Sequence, residues 1–301
     1  GWLYELKRGF EDIHKDVYID VTPSYNDQNA MTELTSGVSS NDLYFLKTQY
    51  YSYVDTTAVR VDGVMYDSYF ADLSDVLNGP AYQETETIKS KFLDGKIEWL
   101  ESSKGKYHAI PWGSGTLGFS INTDILAKVG CEIPVTTDEM FDAFEKIKAA
   151  NLKNSLNQPI YATTFCTTDD TMIRQAQMAW FAQYNGTEGW DNFWNGIDEN
   201  GDAYQPALLN NKGLLRSLEV SAKYLSADNG YLHKYALTDD FVTTEFRLFN
   251  KECAFLPYGD WVMNECATNF TEDELKDIRF SKFPLISSIV EKLEDSDMSD
   301  E

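Results

Sequence analysis

The sequence predicts an α/β protein built as two lobes, and three observations carry that expectation. Strand-type apolar runs alternate with helical periodicities along nearly the whole chain, as in sheets layered with helices. The alternation falls into two blocks, separated by a Pro- and Gly-bearing passage around Pro111 to Thr116. The length, 301 residues, suits two domains or one large α/β unit. Because the apolar runs are continuous rather than alternating, each lobe is expected to hold a mostly parallel sheet flanked by helices.

In the first block an amphipathic helix opens the chain, with Leu3, Leu6, Phe10 and Ile13 at helical spacing. Nothing precedes it that could act as a cap or strand, so the true beginning is expected to be missing. Val17 to Val21 reads as a strand stopped by Pro23, and Ala30, Met31 and Leu34 mark a helix. Asp42 to Leu46 reads as a buried strand, with Tyr50, Tyr51 and Tyr53 in the loop beyond it. Ala71 to Leu77 and the acidic stretch to Leu93 look helical, and Gly105 to Pro111 returns to strand.

The second block starts with a strand over Thr116 to Asn122 and a short helix from Thr123 to Val129, closed by Gly130, whose backbone suits a left-handed helix end. Thr136 with Glu139 is a capping box that opens a helix carrying Met140, Phe144 and Ile147. Tyr161 to Phe165 is a strand and Thr171 to Tyr184 a helix; Leu214, Leu215, Leu218, Ala222 and Leu225 mark another. A helix near Thr243 to Phe249, the strand Cys253 to Leu256, a turn at Tyr258-Gly259, a helix from Asp260 and the run Arg279 to Leu285 follow. Glu291 to Glu301 is an acidic solvated tail, or the start of a helix that continues beyond this chain.

Composition narrows the function. Hydrophobic residues make up 43% and charged residues 25%, which excludes disordered, collagen-like and coiled-coil classes. A formal charge of −24 repels phosphate backbones and anionic lipid, so nucleic acid and membrane surfaces are not expected partners. No stretch approaches the roughly 18 apolar residues of a membrane span. Aromatics reach 14%, an excess that suits a neutral ligand with apolar faces. Cys131, Cys166, Cys253 and Cys266 lie too far apart for a CxxC motif, and with three histidines no zinc site is expected. Buried free thiols are the expectation, a Cys253 to Cys266 bridge the alternative.

Catalytic signatures are missing: no GxSxG, Walker loop, GxGxxG after a strand or HExxH occurs. Gly113-Ser114-Gly115 is weak as a phosphate cradle and reads as a flexible crossing. Asp198, Asn200 and Asp202 imitate a calcium loop, but Ala203 and Leu209 stand where it needs Gly and Glu. Asp169-Asp170 and Asp239-Asp240 are visible acid pairs for glycoside hydrolysis, more simply read as helix N-termini. Asn185-Gly186-Thr187 and Asn269-Phe270-Thr271 match the glycosylation sequon by accident. Trp112 and Trp261 are more informative, since each follows a strand end, where ligands of open α/β sheets bind. An indole beside a carboxylate or amide suits a sugar: the ring covers C–H faces and the polar group takes hydroxyls.

Gly105 to Pro111, then Leu117-Gly118-Phe119-Ser120-Ile121-Asn122-Thr123-Asp124-Ile125-Leu126, resembles the strand-hinge-strand passage of extracellular solute-binding proteins of ABC sugar importers, the maltose-binding group among them. Phe249 to Leu256 followed by Gly259-Asp260-Trp261 is similar to that family's second signature. The opening helix, Val17 to Val21, Asp42 to Phe45, Gly130 and Pro134 to Glu139 also have counterparts in order. The resemblance implies a type II periplasmic-binding-protein-like fold: an N-terminal lobe over 1–112, a C-terminal lobe over 113–283, and a truncated return segment over 284–301. Two lobes would close on an oligosaccharide.

The resemblance places Trp261 as stacking platform, with Asp260 beside it, and Trp112 at the first hinge crossing. Lys47, Gln49 and Tyr50 would form a first-lobe ligand loop, Tyr25 and Asn26 would contribute, and Asp170 and Arg174 would meet hydroxyls. Trp180 is expected in the core. The family's signal peptide, lipid-anchored cysteine and first strand are not in the chain, and Gly115 replaces a hinge glutamate. The implied protein is a monomeric, non-enzymatic surface lipoprotein or periplasmic receptor without cofactor, partnered by permease subunits. Two other readings stand beside it: the same fold binding a polyamine or peptide, and a glycosidase.

Overall fold

In the computed structural model the chain divides into two compact units, Gly1–Ser114 and Gly115–Glu301. The structure describes residues 2–23, 27–36, 41–46, 59–61, 64–66, 68–113, 115–168, 171–198 and 211–293.

The first unit holds helices α1 (Trp2–Ile13) and α2 (Asp27–Ser36), an antiparallel hairpin of β1 (Val59–Val61) and β2 (Val64–Tyr66), and the short α3 (Ser74–Asn78). Its described core gathers Leu77, Ile97, Leu100 and Tyr107. Several strand expectations fail here because other partners take the backbone groups. Val17 to Val21 forms no strand: Val17 N–H donates to the His14 carbonyl at the end of α1, and Ile19 N–H to the Glu11 carboxylate at 2.8 Å. Gly105 to Pro111 is reduced to one bridge at Tyr107, whose N–H donates to Ser74 Oγ and whose carbonyl accepts from Leu73. Asp42 to Leu46 forms no strand, and Leu43 and Phe45 are exposed. The helix expected to run on to Leu93 ends at Asn78, and turns with a 3-10 segment at Lys89–Lys91 replace it. Those exposed acidic residues have no apolar stripe to bury against a neighbour.

The second unit matches its sequence pattern closely. In chain order it holds β3 (Leu117–Asn122), α4 (Thr123–Lys128), α5 (Thr137–Ala150), β4 (Tyr161–Thr163), α6 (Thr171–Trp194), α7 (Lys212–Leu225), α8 (Phe241–Phe249), β5 (Cys253–Gly259), α9 (Val262–Cys266), α10 (Glu272–Leu275) and β6 (Ile278–Ser281). The capping box is present: Thr136 Oγ1 accepts from Glu139 N–H, and the Glu139 carboxylate accepts from Thr136 N–H. Gly130 sits at φ 68°, in the left-handed region that glycine enters at no steric cost. Helix α6 bends where the sequence ends it: Gly186 has φ 71°, and a helical segment continues beyond it. At this bend Asn185 packs against Gly213 of α7, which accounts for the first sequon by packing.

The sheet order is β4-β5-β3-β6, and only β4 with β5 is parallel. β3 pairs antiparallel with β5 and with β6, so the mostly parallel sheet is corrected to a mixed one. The cause is that both faces of β5 are covered. Phe255 joins a core with Phe119, Phe144, Trp180 and Tyr224, while Leu256 and Tyr258, on the opposite face, join a second with Met172, Leu248 and Val262. Two covered faces produce a continuous apolar run whatever the strand direction, so the run encodes burial and not polarity.

Gly118 in β3 lies so close to β6 that an added Cβ would fall 2.1 Å from the Ser281 carbonyl oxygen. A backbone atom in a paired strand yields little. Gly118→Ala is therefore expected to destabilise the second unit at the upper end of the roughly 1–3 kcal/mol of core overpacking, read from the urea midpoint; an unchanged midpoint would refute the close approach.

All four cysteines are free thiols. Burial pushes Cys266 up to about 12 and Cys253 well above its ordinary value, which keeps both as inert thiols. No described helix is long and apolar enough to cross a membrane.

Candidate functional site

The C-terminal end of β5 and the start of β3 meet because the antiparallel register sets Leu117 opposite Gly259. The chain leaves β5 through exposed Asp260, whose N–H donates to the Thr116 carbonyl at 3.0 Å, and Trp261 then turns into α9. The Trp261 carbonyl accepts from Asn264 and Glu265 N–H, which fixes that turn. The half-buried indole lies against Gly259 and Gly115 and meets the Tyr258 ring edge-on, with centroids 5.2 Å apart at 71°. An indole held beside an exposed carboxylate at a strand end is the arrangement the sequence singled out.

Trp112 belongs to the first unit and is 61% exposed. It stacks on Trp2 of α1, with centroids 5.3 Å apart at 21°, and Phe45 closes on both rings edge-on. Nothing local in the sequence marks Trp2 or Phe45 for this cluster, since they lie far from Trp112 in the chain and only folding collects them. Arg174 is exposed on the first turns of α6. Tyr25, Asn26, Lys47, Gln49, Tyr50 and Asp170 lie outside the described residues, as do Asp169 and most of the calcium-like loop. Among the described residues no group of three or more His, Cys, Asp or Glu side chains is placed to hold a metal.

At the opposite end of β5 stands an ion cluster that the sequence did not announce. Arg247 of α8 donates to Asp239 at 3.0 Å and to Glu252 at 2.8 Å, and buried His233 sets Nε2 3.3 Å from Glu252. A cavity of about 160 Å³ opens here beside Tyr161 and Tyr235. Asp240 caps α8, its carboxylate accepting from Thr243 N–H at 2.8 Å, so both members of the Asp239-Asp240 pair are committed to structure.

The His233 ring is neutral: Nδ1 accepts from Tyr235 N–H at 3.3 Å, which leaves the proton on Nε2, facing Glu252. Burial first, and then the Arg247 charge, hold its pKa below the ordinary value against the opposing pull of Glu252 and Asp239. The unfolded chain therefore binds this proton at a higher pH than the folded one. Stability from the neutral ring is full above the ordinary histidine range and is lost as pH falls through that range and then through the depressed folded value. Taking the buffer from pH 7 to pH 5 should lower the wild-type Tm more than that of His233→Gln; parallel losses would contradict this.

No family model matches the sequence, and no curated protein matches it. Solved structures do. The chain is similar to RafE from Streptococcus pneumoniae, also known in complex with raffinose, at 16% identity over 94% of this chain and 63% of that one, with a TM-score of 0.66. It is similar to the bacterial solute receptor AcbH, described as exclusive for β-D-galactopyranose, at 16% identity over 95% and 62% with a TM-score of 0.64. A Caldanaerobius polysaccharolyticus protein described in connection with xylan utilization matches at 13% identity over 94% and 64%, with a TM-score of 0.68. The chain spans 47% to 64% of the lengths of the structures it resembles. At these identities the likeness establishes the fold, that of the periplasmic-binding-protein-like solute receptors.

Proposed function

We propose that this chain is the ligand-capturing part of a non-enzymatic extracellular receptor that binds a neutral carbohydrate, an oligosaccharide, and delivers it to an ABC permease. The observation that carries the reading is Trp261, held at the C-terminal end of β5 beside the Asp260 carboxylate in a fold shared with sugar receptors. The indole offers its surface to pyranose C–H groups while Asp260 takes hydroxyls. Trp112, Arg174, Asp170, Lys47, Gln49, Tyr50, Tyr25 and Asn26 are the further contacts this reading assigns. Similar structures include a Streptomyces coelicolor solute-binding lipoprotein described as secreted, which supports a cell-surface or periplasmic setting. A chain carrying −24 charges is also poorly suited to anionic ligands.

Tryptophan fluorescence titrated with raffinose, galactose, xylobiose and laminaribiose tests it, with spermidine and short peptides as comparison ligands and product analysis of each mixture. A saturable shift with a neutral sugar and no cleavage is expected. Saturation by spermidine or peptide alone would replace the sugar by those ligands, and cleavage products would make the chain a hydrolase.

A further inference from the structure

We infer that Gly115 and Gly259 are positioning residues that turn Trp261 into a platform with a single usable face; the inference rests on the carbohydrate reading of the same site. A Cβ added to Gly259 would fall 2.2 Å from Trp261 Cζ3 and 2.3 Å from both Cε3 and Cη2. Three consecutive ring atoms at nearly equal distance put that point over the face of the six-membered ring, since a point beside the edge would be markedly farther from Cε3 and Cη2 than from Cζ3. A Cβ on Gly115 would meet Cζ3 at 2.6 Å and Cε3 at 2.8 Å. No other ring atom comes within 3.6 Å of that point, so Gly115 meets the ring at its Cε3–Cζ3 edge while Gly259 covers one face; the indole rests on the last glycine of β5 and on the glycine two residues before β3.

Neither glycine needs to be glycine for its own conformation. Both stand outside the positive-φ set that includes Gly130 and Gly186, so the backbone would accept an L side chain at either position. The ring makes the demand. The socket spans the β3–β5 register, which the Leu117–Gly259 pairing and the Asp260 to Thr116 hydrogen bond fix from both sides. Tyr258 meets the indole edge-on, and Asp260 Oδ1 lies 3.6 Å from where the Gly115 Cβ would stand.

Two consequences follow for ligand choice. A sugar ring stacks on the face turned away from Gly259, so the platform reads one side of one residue of the glycan. A side chain at position 115 or 259 would lift the ring and move that plane relative to Asp260, with no change in the chemical groups present. Affinity thus depends on two residues that make no polar contact with ligand.

The test is a double-mutant cycle in the full chain. Gly115→Ala is the main variant, because Gly115 is exposed and its substitution leaves the core intact, and Gly259→Ala is the second. Affinity for raffinose, xylobiose and galactose is measured in each and again in a Trp261→Ala background. Gly115→Ala is expected to weaken the sugar bound by wild type at least tenfold, with Tm shifted little, and to add no loss when Trp261 is already alanine. Unchanged affinity, or the same loss in both backgrounds, would overturn the socket. A ligand-independent measurement separates this from the carbohydrate reading: the near-UV circular dichroism of Trp261, taken as the difference between each chain and its Trp261→Phe counterpart. Should wild type bind none of the three sugars, the carbohydrate reading fails and this signal decides: a change on Gly115→Ala supports the socket, and an identical signal overturns it.

Discussion

Trp180→Ala is expected to lower the stability of the second unit by about 3–5 kcal/mol, the range for removing a buried aromatic from a core. The indole is 1% exposed between α6 and the sheet, and it meets Tyr224 and Phe283 edge-on, each with centroids 6.3 Å away. Truncation leaves a cavity beside Tyr224, held in α7, and Phe283, itself packed edge-on against Phe119 of β3, so little collapse can offset the loss. A second cost comes from the Pro284 carbonyl, which accepts the indole N–H at 3.1 Å and would lose its buried donor.

That hydrogen bond also explains why the effect should spread. Gln183, one turn beyond Trp180, accepts Ile286 N–H at 2.9 Å and donates to the Phe283 carbonyl at 3.4 Å, so α6 clasps the segment after β6 through two adjacent side chains. Trp180→Phe keeps most of the volume while it removes the donor, so the further loss in the alanine variant reports packing. Urea denaturation followed by near-UV circular dichroism reads both. A loss below about 0.5 kcal/mol for the alanine variant would contradict the packing described, being the size of an ordinary surface change.

Trp180 also shows what the sequence could and could not disclose. Its place on the apolar face of a helix marks it as core, and the structure agrees, because helix periodicity and burial are local consequences of the same spacing. The second unit was legible for that reason: Thr136 with Glu139, Gly130, Asp240 before α8 and the run from Cys253 each state their role within a few residues. Strand direction was not legible, since nothing within Cys253 to Gly259 distinguishes a parallel neighbour from an antiparallel one. In the first unit the strand-like runs at Val17 and Gly105 were misread because their backbone partners are a glutamate side chain and the start of α3, which lie in other segments. The site divides in the same way. Trp261 can be proposed for the site from its position after a strand, whereas the Trp2, Phe45 and Trp112 cluster and the His233–Arg247 ion cluster are made by residues that only the fold assembles.

On the proposed carbohydrate reading, Trp261→Ala is expected to reduce sugar affinity by roughly 2 kcal/mol or more, about thirtyfold, the cost of truncating a well-packed aromatic anchor. The magnitude follows from what stacking asks of the ring. A mobile indole would lose rotamer freedom on binding, but this one is already ordered by Gly259, Gly115 and the Tyr258 edge, so contact with a pyranose is made at little further entropic cost. The same packing means that the variant also loses contacts to the core around Val262 and Tyr258, so affinity must be read where the protein is fully folded. Trp261→Phe provides the control. It keeps an aromatic face over Gly259 with less area, and affinity should fall between wild type and alanine while Tm stays near wild type. Isothermal titration with the sugar that wild type binds, in urea-free buffer well below the melting transitions of all three proteins, makes the comparison. Equal affinity in all three proteins would take Trp261 out of the site and leave the end of β5 as packing alone. A graded loss that follows ring area would establish that the strand-end indole, positioned by two glycines that carry no chemistry of their own, provides the stacking surface on this unit.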